Sequence, residues 1–125
     1  MKQIEKKELS EYCLRLDLVQ ATAKQIKKDF SLFDEEIIFS GNAATAYKEL
    51  YTQIYPIIER LINLDTSRFF TMLYAIDIEE SKVVELLLGN KPVVVLEEVS
   101  KMIIERELMK VVYRKHWSSK LKNEG

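Results

Sequence analysis

Little in the chain would break or staple a fold. Three glycines and two prolines in 125 residues leave few places for tight turns, which disfavours a sheet of short strands and points to long helices. Cys13 is the only cysteine, so no disulfide can close within the chain, and no Cys/His spacing suits zinc. It reads as a small buried hydrophobe, since no His or second Cys lies nearby in sequence to activate it. His116 is the only histidine, so any Ser-His or Cys-His catalysis would have to pass through one residue flanked by Arg114 and Lys115. No apolar run approaches a membrane span, and the opening M-K-Q-I-E-K-K-E-L is too charged for a signal peptide, so a reducing cytoplasmic location is expected. With 19 basic and 20 acidic residues the net charge is −1, which weighs against a dedicated nucleic-acid binder. The Walker loop, the dinucleotide glycine pattern, G-x-S-x-G and the E-x-x-H pair of di-iron bundles are all missing. No cofactor or metal is therefore expected, and a non-enzymatic role is favoured.

What is present reads as one all-α domain over residues 1–125, a bundle of four or five helices, with 1–9 and 118–125 as frayed tails. A chain of this length can bury roughly two-thirds of its unfolded surface and needs no metal to hold it. The first helix is expected from near Ser10, because Leu9, Tyr12, Leu16, Val19, Ala23, Ile26 and Phe30 step by three and four. Residues 31–42, S-L-F-D-E-E-I-I-F-S-G-N, are too apolar for a free linker and read as an ordered crossover, with room for a helical turn around Asp34 to Ile38. A second helix spans about Ala43 to Asn63, capped by Ser40 or Asn42. Its stripe is Tyr47, Tyr51, Ile54, Ile58 and Leu61, with Leu50, Tyr55, Ile57 and Ile62 beside it. Pro56 falls inside and predicts a kink, two helices meeting near Tyr55 being the alternative. A third helix follows a cap at Asp65 or Thr66. A fourth covers about Ile78 to Leu88, with Asp77 and Glu80 spaced as a capping box and Gly89-Asn90 as a stop.

The fifth and longest helix, Asn90 to Trp117, organises the rest. Asn90 can cap it, Pro92 suits its first turn, and Glu97 and Glu98 lie early while Arg114 and Lys115 lie late, as the helix dipole prefers. Val95, Val99, Met102, Met109 and Tyr113 mark one stripe, and Arg106 fills the gap in it. A guanidinium there must find a partner, for which Asp77 is the first choice and Asp65 or Glu59 the second. With that stripe inward, Val94, Ile104, Leu108, Val111 and Val112 point broadly away. Either the helix is central and wrapped on both sides, or Ile104, Leu108, Val111 and Val112, with Tyr51 and Tyr55, form a homodimer interface. The Met, Tyr and Trp near its end tilt the reading toward the interface.

Other groupings have plainer explanations. Asp77, Glu79 and Glu80 suit a helix start better than a metal site, which needs several converging oxygens. Ser40-Gly41-Asn42 offers backbone N–H groups to a phosphate only as every helix start does. Tyr47, Tyr51 and Tyr55, four apart, read as a core-edge stripe. The basic end, Lys110, Arg114, Lys115, His116, Lys120 and Lys122 around Trp117, is diluted by Glu105, Glu107 and Glu124.

In L-Y-A-I-D-I-E-E and I-I-E-R-E-L-M-K-V-V-Y-R the chain resembles a family of small uncharacterised bacterial all-helical proteins. These are similar in an aromatic-rich helix ending in an I-D-x-x-E corner, followed by a last helix bearing I-I-E-R-x-x-x-K. The resemblance spans Ile58 to Arg114 and implies a shared corner made by Asp77, Glu80, Glu105 and Arg106; it brings no activity with it. The expected function is a cytoplasmic interaction or regulatory protein that self-associates or binds another protein. The alternative is a magnesium-dependent helical hydrolase of the nucleotide-pyrophosphohydrolase type, which needs paired carboxylates on facing helices; no pair of matching phase is evident.

Overall fold

A computed structural model describes residues 15–124, with side chains described for 15–117. Among these residues there is no strand. The elements are α1 (Leu16–Ser31), a 3-10 turn (Ala43–Thr45), α2 (Ala46–Leu64), α3 (Thr66–Ile76), α4 (Glu80–Gly89) and α5 (Pro92–Glu124). Helix α5 has 33 residues and is about 50 Å long, and all four other helices pack against it.

Arg15 is extended and α1 begins at Leu16, later than the periodicity suggests; Leu9, Ser10, Tyr12 and Cys13 lie outside the described residues. Val19, Ala23, Ile26 and Phe30 are buried as their spacing requires, whereas Leu16 is half-exposed. The crossover is ordered but carries no helical turn at Asp34 to Ile38. Asp34 takes a left-handed conformation (φ 60°) and turns the chain, after which Phe33 and Ile37 anchor it in the core. Gln53 of α2 then clasps it like a strand neighbour: its Nε2 donates to the Ile38 carbonyl at 2.7 Å and its Oε1 accepts from the Ile38 N–H at 2.8 Å. Arg60 pairs with Glu35, and Glu49 accepts from both the N–H and the hydroxyl of Ser40. Those bonds, and first of all the one from the Thr45 hydroxyl, hold the Glu49 carboxyl below its ordinary pKa.

Asn42 caps the 3-10 turn through Ala44 N–H, and α2 then runs unbroken through Pro56, which removes the alternative of two helices meeting at Tyr55. Asp65 caps α3 by accepting from Arg68 N–H at 3.1 Å. Pro92 opens α5 as the first helical residue. Asn90 does not cap α5; its Nδ2 turns back and donates to the Leu86 carbonyl at 3.2 Å, closing α4. The tail expected to fray from Ser118 continues as helix to Glu124.

The face of α5 turned inward differs from the expected one. Val95, Leu96, Val99, Ser100, Ile103, Ile104, Glu107, Leu108, Val111 and Val112 are buried, while Met102, Arg106, Met109 and Tyr113 sit half-buried at the edge. The centre line of the buried face carries Ser100 and Glu107, so its apolar pattern is interrupted twice and the neighbouring Met-rich line looks more regular. Ile104, Leu108, Val111 and Val112 are thus core within a single chain. Leu108, Val111 and Val112 close on Leu18 of α1 in a small apolar cluster of their own. They form no surface for a second copy, because α1 already covers them.

Candidate functional site

Two polar arrangements stand out, and both are built on α5. The first is the corner where α3 hands over to α4. Asp77 adopts a left-handed conformation (φ 71°, ψ 48°) and terminates α3, its N–H reaching the Leu73 and Tyr74 carbonyls. Aspartate tolerates that region better than most residues because its short side chain can bond locally or, here, outward. The expected capping box is absent: Asp77 ends one helix instead of starting the next. The position before α4 is Glu79, whose side chain makes no cap bond. The Asp77 carboxylate instead receives Arg106 Nη2. Asp77 is 76% exposed and Arg106 30%, so this is a surface pair whose guanidinium stem is covered, not a buried ion pair. Arg106 Nη1 approaches Met109 Sδ at 3.6 Å, and its Nε is buried without an acceptor among the described residues. Glu105 and Lys82 line the same shallow cleft of about 420 Å³, whereas Glu80 points to solvent at the start of α4. Of the four residues the family resemblance groups, three meet at the cleft and one stands apart.

The second arrangement lies along the seam between α1 and α5. Asp29 of α1 and Glu107 of α5 face each other with Lys110 beside them, its Nζ 2.9 Å from Glu107 Oε1 and 3.4 Å from Asp29 Oδ2. Glu107 is fully buried and the Asp29 and Lys110 side chains are 9% and 19% exposed. Burial, and then the facing Asp29, push the Glu107 carboxyl up to about 8; Lys110 opposes but does not cancel this. The ladder continues outward: Gln25 Nε2 donates to Asp29 at 3.0 Å, Arg114 Nη2 donates to Gln25 Oε1 at 2.6 Å, and Lys115 Nζ donates to Asp17 Oδ2 at 3.2 Å. The Lys115 bond is the main reason the exposed Asp17 carboxyl is held low. As the α1 numbers rise, their α5 partners fall, so the helices run antiparallel.

The sequence reading missed this seam, having taken Arg106 as the charge inside the apolar stripe. The buried charge is its neighbour Glu107. A signal existed: Ile103, Ile104, Leu108, Val111 and Val112 surround position 107 on the helical lattice, so an acid there is the true break in pattern. Of the basic end of α5, Lys110, Arg114 and Lys115 are each engaged by α1, and the side chains of Lys120 and Lys122 lie outside the described residues.

Tyr51 and Tyr55 lie half-buried on the flank of α2 with Tyr47, neighbouring ring centroids 6.0 Å apart. Partial burial, with Glu97 nearby, raises the Tyr51 hydroxyl pKa. His116 is exposed, its ring 6.4 Å from that of Trp117. Among the described residues no helix is long and apolar enough to cross a membrane, and no group of three or more Asp, Glu, His or Cys side chains is placed to hold a metal ion. Compared with protein-family models, curated proteins and solved structures, the chain matches none.

Proposed function

We propose that the protein is a non-enzymatic, cytoplasmic interaction protein that works by binding another protein chain, a second copy of itself being the first partner to test. One observation carries this reading. At the corner joining α4 to α5, Leu88, Val93 and Val94 all face water, Leu88 at 85% and Val93 at 57% exposure. Three large aliphatic side chains within seven residues, at the head of the longest helix, make an exposed apolar edge of the kind that marks association surfaces. The polar groups with unusual chemistry point the other way, since Glu107 is sealed in the α1–α5 seam.

Self-association would therefore use the α4–α5 corner with the tyrosine flank of α2, in place of the covered residues Ile104, Leu108, Val111 and Val112. The hydrolase reading draws some support from Asp29 and Glu107, which do pair carboxylates across two helices. Lys110 already lies against both of them and solvent does not reach Glu107, so the pair is closed to a hydrated ion. The test is the mass of the native particle by light scattering across a wide concentration range. A dimer that Leu88→Glu with Val93→Glu converts to a folded monomer supports the reading. A wild-type chain that stays monomeric at high concentration overturns self-association.

A further inference from the structure

The charge count in the α1–α5 seam does not balance. Asp29 and Glu107 bring two carboxylates and Lys110 a single ammonium into a region where one acid is fully buried and the other nearly so. With both acids ionised, the seam would hold an uncompensated negative charge away from water, at a cost no nearby cation offsets. Hydrogen bonding points the same way. Lys110 Nζ stands 2.9 Å from Glu107 Oε1 but out of line for a hydrogen bond, and among the described residues no other donor reaches Glu107; its contact with Asp29 joins two acceptors. Two facing carboxylates bond only when one carries a proton.

Among the described residues no charged group from the other helices relieves this. On α3 the inward side chains are Phe69, Met72, Leu73 and Ile76; Arg68 turns to Asp34 and Tyr74 is exposed. On α2 Arg60 pairs with Glu35, Glu49 with Ser40 and Thr45, and the inward face is Leu50, Ile54, Ile57, Ile58 and Leu61; Lys48 and Glu59 face solvent, and Tyr51 and Tyr55 lie on the flank facing Glu97 and Glu98. On α4 Val83 is the buried side chain, Lys82 lies by Glu79, and Glu80 and Glu85 are exposed. On α1 itself Lys24, Lys27 and Lys28 face solvent; on α5 Arg106 is held by Asp77 and Arg114 by Gln25.

We propose that Asp29 and Glu107 share one proton beside Lys110, and that losing it as the medium turns alkaline loosens α1 from α5, making this seam a pH-sensitive joint. The apolar cluster of Leu18, Leu108, Val111 and Val112 sits in the same seam and is uncovered when the joint opens. The sign follows from linkage. Folded, Glu107 keeps its proton to about pH 8; unfolded, it releases it near the ordinary glutamate value of 4.5. Between those values the folded state binds the extra proton, so stability falls as pH rises through the window and levels off above it.

The test is denaturant unfolding of the full chain and of Glu107→Gln from pH 6 to pH 9. The wild-type folding constant should fall about tenfold per pH unit up to pH 8, and the variant, which keeps the shape but cannot ionise, should be nearly flat. Parallel profiles overturn the proposal. Should Glu107→Gln fail to fold, carboxyl-carbon NMR of the wild type decides: a Glu107 midpoint near 8 supports the shared proton, and one near 4.5 sinks it. Asp29→Asn removes one acid and should lower that midpoint; an unchanged midpoint removes Asp29 from the account. Hydrogen exchange, corrected for the intrinsic pH effect, separates a joint from general unfolding. Between pH 6 and 8 the amides of Thr22 to Phe30 should exchange through an opening smaller than global unfolding, less protected than α2 to α4 and less so as pH rises; equal protection across the helices refutes the joint.

Discussion

At the scale of single residues, exposure decides what each charge contributes. Arg106 and Asp77 form an ion pair, yet water reaches most of the aspartate, so the pair stabilises by about 0–1 kcal/mol, well short of a buried one. Asp77→Asn keeps a residue that tolerates the left-handed conformation and removes only the charge. It should shift the unfolding midpoint slightly, and less still in high salt; a loss above roughly 3 kcal/mol would mean the pair is far better shielded than its exposure indicates. Ser100 is the opposite case, fully buried with a hydroxyl that finds no partner among the described residues. Ser100→Ala deletes an orphaned polar atom at almost no cost in volume. It should leave stability unchanged or raise it by about 1 kcal/mol, read by thermal unfolding.

Helix ends and interiors set the next scale. Helix α2 accommodates Pro56 without ending, so the Thr52 carbonyl goes without its helical N–H donor while Ile57 and Ile58 beside the proline stay buried. Pro56→Ala restores the donor and should be neutral or stabilising by about 1–2 kcal/mol, less than the roughly 3 kcal/mol proline costs in an unadapted helix. A large loss in denaturant titrations would mean that α2 depends on the proline for its path. Helix α3 leans on its cap: Asp65→Ala frees the Arg68 N–H and should cost about 1 kcal/mol.

At the scale of the whole molecule, the described residues form four helices disposed around a fifth, and the proposed partner surface is what that arrangement leaves open. Leu108 is covered by α1, so Leu108→Ala should cost about 2–5 kcal/mol, as truncating a core leucine does. Leu108→Glu with Val112→Glu should give a chain that fails to fold cooperatively by circular dichroism; a folded monomer would return these positions to the surface. Charge acts at this scale too, since the antiparallel pairs of α1 with α5 engage Lys110, Arg114 and Lys115.

Local chemistry determined much of this protein before any packing was known. Scarce glycine and proline exclude a turn-rich sheet; the three-and-four spacing of Val19, Ala23, Ile26 and Phe30 writes out the inner face of α1; Asp65 and Pro92 mark helix starts because capping and proline geometry involve only neighbours in the chain. Arg106 could be matched to Asp77 because a half-buried guanidinium seeks an acid at the nearest corner. Tertiary structure alone decided which side of α5 faces inward. A helix wrapped by four others has no single apolar stripe, and Ser100 and Glu107 on its buried centre line conceal the one it has. The left-handed turn at Asp77 was equally hidden, since the same acid could start a helix or end one. Asp29 and Glu107 are 78 positions apart in the chain, and only the packing of α1 on α5 makes them two acids in want of one proton.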